Sequence, residues 1–191
     1  MTKRSRRAFL VESGAGLSAA WLAANWPGIL EAKEHASRAA AGLPIKLDFF
    51  SEDQAAEVDA ITAQIIPADD TPGAHEARCV YFIDRSLATF LKDSQPVYAQ
   101  GLKDLQAKTS EMFSSATRFS ALTSDQQIQL LTAIEKTPFF TAVRNHTVLG
   151  MFSNPVHGGN YNNIGWKMIG YDNALNWKPP FGYYDDPNNA S

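Results

Sequence analysis

Two short signatures constrain this fold more than anything else in the chain. They are Ser51-Glu-Asp-Gln54 and Thr123-Ser-Asp-Gln126. Each sets a hydroxyl three residues before a glutamine, so that hydroxyl and amide can reciprocally satisfy N–H groups left open at a helix start. Helical periodicity follows each one. After Ser51, Val58, Ile61 and Ile65 recur at helical spacing, and Pro67 stops the run. After Thr123 come Ile128, Leu131 and Ile134. Three further segments read the same way: Val80, Ile83 and Leu87 with Phe90 or Leu91; Tyr98, Leu102 and Leu105; Phe139 and Val143 with Val148 or Leu149. No strand alternation of useful length intervenes, and no internal repeat is evident. A helix with one apolar stripe must bury it against a neighbour. The expected architecture is therefore all-α, a single domain of about five helices around a shared core.

Turn chemistry punctuates this pattern. Pro67 to Ala77 is a turn-rich loop, and after Phe152 the chain becomes rich in Asn, Gly, Pro and aromatics. Gly158-Gly159-Asn160 reads as a chain reversal that needs positive φ. The last stretch, 172–191, cannot build a core of its own, yet holds Trp177, Phe181, Tyr183 and Tyr184. Two readings stand side by side: an extended arm with aromatic anchors for another surface, or an arm lying back on its own domain.

The N-terminus has a different logic. Ser5-Arg6-Arg7-Ala8-Phe9-Leu10 fits the twin-arginine export consensus, with Arg6, Arg7, Phe9 and Leu10 in the expected order. The apolar part from Phe9 to Leu30 is broken by Glu12, Asn25 and Pro27, too interrupted for a comfortable membrane-spanning helix of about 20 apolar residues. Ala39-Ala40-Ala41 is a candidate small-residue cleavage site, so residues 1–41 are assigned as leader and linker and 42–191 as the helical domain. Whether the leader is cut or kept as an anchor stays open. Gly14-Ala15-Gly16-Leu17-Ser18-Ala19 mimics a dinucleotide fingerprint. A genuine one follows a buried strand inside a βαβ unit, and here a basic run precedes it.

Charge and cysteine usage remove several function classes. Of the 17 basic and 20 acidic residues, the first 32 positions hold four and two, leaving 13 and 18, a net of −5, for the remainder. An acidic body argues against a nucleic-acid partner. Cys79 is the only cysteine, which excludes an internal disulfide, a cysteine-based metal or iron–sulfur site, and covalent c-type haem. It reads as a small buried hydrophobe or as one half of a bond to another chain. The loop residues Asp69, Asp70, His75 and Glu76 include metal-ligand types, but their spacing matches no known cage, and capping is the simpler account. His146 reads as a structural histidine. His157, among glycines, is the most tempting catalytic candidate, but no nucleophile elbow and no carboxylate partner accompanies it. No self-contained active site emerges. The alternative reading is a stand-alone periplasmic metal-binding protein or hydrolase using His75, His146 or His157.

Three stretches taken together resemble a known family. They are the twin-arginine leader; AITAQIIPADDTPGAHEARCVYFID, from Ala60 to Asp84; and FFTAVRNHTVLGMFSNPVHGGNYNNIGWKMIGY, from Phe139 to Tyr171. In them the chain is similar to the gluconate 2-dehydrogenase subunit 3 (small or gamma subunit) family. It departs at His157, where the family usually has tyrosine, and at Tyr171-Asp172-Asn173, where Phe-Pro-Gly is common. The resemblance implies a small subunit that is not catalytic and holds no cofactor. It implies a large FAD-containing partner of the glucose–methanol–choline type, with haem c in a third, multihaem cytochrome subunit in some complexes. It also implies passage through the twin-arginine translocase on the small subunit's leader, and a place in the periplasm at the outer face of the inner membrane. Pro67, Asp69, Asp70, Pro72 and Gly73, with Asn154, Pro155, Gly158, Gly159, Asn160, Gly165, Trp166 and Gly170, are the family-motif turn residues. Trp166, Trp177, Phe181, Tyr183 and Tyr184 are the expected partner contacts.

Overall fold

The computed structural model describes residues 46–173, and the leader and the segment beyond Asn173 lie outside the described residues. Within them the chain forms α1 (Glu52–Ile65), α2 (Cys79–Ala88), α3 (Gln95–Met112), α4 (Ser124–Ile134), α5 (Pro138–Phe152) and a short α6 (Ile164–Met168). No strand occurs among the described residues. The five helices expected from periodicity are present, and α6 is added to them.

Local chemistry sets the helix starts. Both capping boxes form: Ser51 Oγ accepts from the Gln54 N–H and Gln54 Oε1 accepts from the Ser51 N–H, and Thr123 and Gln126 repeat the exchange. α5 opens on Thr137, whose hydroxyl accepts from the Phe140 N–H, with Pro138 in the first turn where its missing N–H costs nothing. α3 also carries a proline in its first turn, Pro96. Four short 3-10 turns, Lys92–Ser94, Phe119–Ala121, Pro155–His157 and Tyr161–Asn163, make the corners.

The helices share one core. Val58 and Ile61 of α1, Ile83 and Leu87 of α2, Tyr98 and Leu105 of α3, Leu130 of α4 and Val143 of α5 are buried together. α2 packs most extensively on α5, α1 leans on both of them and on α4, and α3 closes the far side against α4 and α5. The corner at Phe119 is pinned by Glu57 of α1, whose carboxylate accepts from the N–H groups of Phe119 and Ser120 at 2.8 and 3.2 Å.

Two expectations about the buried face are corrected, and the choice between Phe90 and Leu91 falls to Leu91. Ile128 is 51% exposed, and α4 instead turns Gln127, Leu130 and Leu131 inward. The capping box fixes where α4 begins but not its rotation. Gln127 fixes that, because its amide donates to the Phe119 carbonyl at 3.1 Å and accepts from Gln64 at 2.7 Å. Val148 and Leu149 are 44% and 50% exposed, because the C-terminal half of α5 buries His146, Thr147, Gly150 and Met151. Small Gly150 lets α2 approach, so that face and not the apolar one goes inside. Phe90 is 60% exposed because α2 ends at Ala88, and the turn beyond it brings Leu91 partly inward. Among the described residues no helix is long and apolar enough to cross a membrane.

Candidate functional site

The two loops singled out by their turn residues come together beside the start of α2. The Tyr161 N–H donates to the Ala77 carbonyl at 3.1 Å, and the Arg78 guanidinium lies 3.7 Å from the centre of the Tyr161 ring. Ala74, Ala77, Cys79 and Met151 form a second, smaller apolar cluster beneath, with Ile66, Phe152 and Ile164 packed on it.

The first loop closes on itself. Asp69 Oδ1 accepts from both the backbone N–H and the hydroxyl of Thr71, which holds the Asp69 carboxyl below its ordinary pKa. Gly73 donates its N–H to Glu76, and the Ala74 N–H returns to the Ile66 carbonyl at 2.8 Å, so the loop re-enters where α1 ended. Pro67, Asp70 and Pro72 stay at the surface, while Gly73 is buried.

The second loop is built by backbone approach. Asn154 caps the turn through its side-chain oxygen, which accepts from the Val156 N–H. Gly158 has φ +106°, a conformation that side-chain-bearing residues rarely adopt. A Cβ on Gly159 would sit 2.3 Å from the Gly150 carbonyl oxygen, and one on Gly165 would sit 1.9 Å from that of Met151. Both positions therefore admit only hydrogen. Between them Asn160 is fully buried with φ +47°. Its Nδ2 donates to the Ser153 carbonyl and its Oδ1 accepts from the Gly165 N–H, each at 2.8 Å. One side chain thus ties the end of α5 to the start of α6. Trp166, half-buried, donates Nε1–H to the Phe152 carbonyl at 2.8 Å and sets its ring 5.1 Å from that of Tyr171. Gly170, φ +66°, turns the chain after α6 in open space.

The histidines have separate partners. His75 Nδ1 is 2.6 Å from the Asp59 carboxylate at the surface. His146 Nδ1 is 2.9 Å from the Tyr98 hydroxyl, with the rings stacked, and burial holds the imidazole below its ordinary pKa and the phenol above its own. That pair fills the core. His157 lies at the surface with its ring edge-on to Phe90. Among the described residues no three His, Cys, Asp or Glu side chains converge in a way that could hold a metal ion. Cys79 is fully buried and its thiol is pushed up to about 12, chiefly by desolvation. A bond from it to another chain would require the cluster to open.

An open groove of about 1410 Å³ runs beside the junction. Phe50, Val80 and Ile164 supply apolar surface to it, and Asp59, His75, Arg78, Tyr81 and Tyr161 supply polar groups.

Two residues matter that sequence reasoning passes over. Asp84 is 2% exposed and accepts three backbone N–H groups, from Asp48, Phe49 and Phe50. A signal for it exists: an acid in the same helical stripe as Val80, Ile83 and Leu87 has to find donors inside. Arg78 caps α2 in the left-handed conformation, φ 58°, and nothing in its local sequence announces that. Of the expected partner contacts, Trp166 is tied inward, whereas Trp177, Phe181, Tyr183 and Tyr184 lie outside the described residues, as do Arg6, Arg7, Phe9 and Leu10.

The family model described as gluconate 2-dehydrogenase subunit 3 matches residues 52–172, which contain both loops, the six helices of the described residues and the groove walls from Glu52 onward. No curated protein and no solved structure matches the chain.

Proposed function

The chain belongs to the gluconate 2-dehydrogenase subunit 3 family, and on that premise we propose that it is the non-catalytic small subunit of an exported, flavin-dependent sugar or sugar-acid dehydrogenase. The observation that carries this reading is the extent of the family match, which takes in nearly every described residue. The motif residues Gly158, Gly159, Asn160 and Gly165 are spent on backbone packing, and the histidines on structural or surface contacts.

The proposed partner is a large subunit of the glucose–methanol–choline type that carries FAD and the substrate site, with a multihaem cytochrome c subunit as a further electron acceptor. The small subunit binds the large one, stabilises it by mass action, and supplies the twin-arginine leader on which both cross to the periplasm. There the complex sits at the outer face of the inner membrane. A flavoprotein must fold around FAD in the cytoplasm, so a route for folded cargo is required, and one leader per complex suffices when the subunits associate first. The segment from Trp166 to Tyr184 is the proposed partner contact, with 172–191 as a docking arm.

Co-expression with a leaderless flavoprotein of that type tests the reading. The two chains are expected to co-purify with flavin absorbance, and the small chain alone to be colourless and without turnover. Replacing Arg6 and Arg7 by lysine is expected to leave both chains in the cytoplasm. Deleting 172–191 is expected to weaken capture of the flavoprotein while the helical circular dichroism is retained. Intrinsic turnover or a stoichiometric metal in the isolated chain would overturn the proposal in favour of a stand-alone protein.

A further inference from the structure

Charge is unevenly spread along this acidic chain. None of its 20 acidic residues falls between Glu135 and Asp172. That stretch carries Lys136, Arg144 and Lys167, all exposed, and none of the three forms an ion pair with another described residue. Apolar exposure collects in the same place. Eight large hydrophobic side chains are exposed among the described residues, and six of them, Val148, Leu149, Val156, Met168, Ile169 and Tyr171, lie in this stretch. A seventh, Phe90, sets its ring 6.1 Å from that of His157. Exposed hydrophobes scattered singly need no explanation, but their collection on one acid-free stretch of an acidic body does.

The fold joins these residues into a surface. Arg144, Val148 and Phe152 are spaced four apart on α5 and lie in one row on its outer side. The row continues into α6: Gly165 packs against the Phe152 ring, Trp166 donates to the Phe152 carbonyl, and Tyr171 lies against Trp166. Lys167, Met168 and Ile169 are exposed around that contact. Beyond Phe152 the chain places Val156 beside Arg85 of α2, whose guanidinium donates to the Val156 carbonyl at 2.9 Å, and His157 beside Phe90. The result is an apolar centre edged by basic side chains.

We propose that the outer face of α5 from Arg144 to Phe152, together with α6, is the surface on which the large dehydrogenase subunit docks, and that the partner meets it with an apolar patch edged by carboxylates. The identity of the partner rests on the small-subunit reading; the place and chemistry of the surface do not. Charge separates the occupants. A second copy meeting this face across a two-fold axis would set Arg144 and Lys167 against their own counterparts, and the stretch has no carboxylate to put between them. Anionic membrane surfaces are held by clusters of about four or more Lys and Arg, and this stretch has only Lys136, Arg144 and Lys167. A protein surface with an acidic rim satisfies both the apolar centre and the unpaired cations.

Affinity of the full chain for its flavoprotein partner tests this. Val148→Lys with Leu149→Lys removes the apolar centre at exposed helix positions, so helical circular dichroism should not change. Binding is expected to weaken by about thirtyfold or more. Arg144→Glu with Lys167→Glu is expected to slow association about tenfold and to flatten its dependence on salt. Full affinity in the lysine variant would overturn the assignment and leave the subunit reading standing. If the unaltered chain captures no flavoprotein, the subunit reading fails and the assignment to that partner falls with it. Should the lysine variant not fold, Leu149→Cys gives a second readout, because Cys79, the only native thiol, is fully buried. The introduced thiol is expected to react freely with maleimide in the chain alone and about tenfold or more slowly in the complex. Protection in the chain alone would assign the face to residues 174–191 or to a second copy, with light scattering separating the two. Equal labelling in both states would put the face outside the interface. Either result overturns the proposal, as would protection of the same thiol by phosphatidylethanolamine–phosphatidylglycerol vesicles.

Discussion

The two apolar clusters of this molecule are stabilised in different ways. The main core fills the space between α1 and α5 with large side chains such as Ile61, Leu87, Tyr98, Leu105 and Leu130. The junction around Ala74, Ala77, Cys79 and Met151 does the opposite: most of its residues are small, and the second loop is drawn against α2 and α5 until backbone meets backbone. A core of large side chains tolerates volume-conserving exchange, because other apolar groups of similar size fill the same space. A backbone junction has no such freedom, since a single added carbon meets a carbonyl oxygen that cannot rotate away. The junction should therefore be the more brittle region per atom changed, although it buries less apolar surface.

The sharpest test adds one methyl group. Gly165→Ala is expected to cost about 4 kcal/mol, at the upper end of single-substitution effects, because its Cβ would lie 1.9 Å from the Met151 carbonyl oxygen. Denaturant unfolding of the described domain checks this, and a loss below about 1 kcal/mol would break the comparison. Next is deletion in the main core. Leu130→Ala, at a fully buried position, is expected to cost about 3 kcal/mol, while Leu130→Met should cost less than about 1.5 kcal/mol.

Asn160→Ala comes third, at about 2 kcal/mol, for the loss of two buried hydrogen bonds and of the side chain best suited to positive φ. Asn160→Gly keeps the backbone freedom and should recover part of that loss, separating strain from hydrogen bonding in thermal melts.

The fourth test uses pH. Burial lowers the His146 pKa in the folded chain below its ordinary 6.5, so the unfolded chain takes up this proton first as pH falls. The stability contribution is complete above about 6.5 and declines as pH drops through the window below it. Melting temperatures from pH 8 to pH 5 should fall less steeply in His146→Gln than in the unaltered chain; equal slopes would remove His146 from the account. The smallest effect is expected outside both clusters. Leu149→Ser, at a half-exposed position, should change stability by less than about 0.5 kcal/mol. A large loss there would mean that α5 turns its apolar face inward after all.

What is legible in the chain follows the range of each interaction. Both capping boxes and the proline stops act within four residues, so the helix starts can be read directly. Rotation of a helix is set by its neighbours, and this is why periodicity points Ile128, and Val148 or Leu149, inward while the fold turns all three outward. The glycines of the second loop announce a reversal, and Gly158 and Asn160 take the positive φ it needs. Their neighbours across the junction, Gly150, Met151 and Tyr81, cannot be named from spacing. Asp84 is visible only as an acid in an apolar stripe; its donors lie more than thirty residues away.

By itself, then, the sequence determined the helical class, the starts of α1 and α4, the turns and the family, because these rest on short-range hydrogen bonding, on period and on motifs. Tertiary structure decided which face of α4 and α5 is buried, how close the second loop comes to α2, and which carboxylate anchors the N-terminal junction. The physical reason is that packing and desolvation are settled between elements. A buried amide or carboxylate takes whatever partner the fold brings within about 3 Å, and a linear pattern does not say which partner that will be.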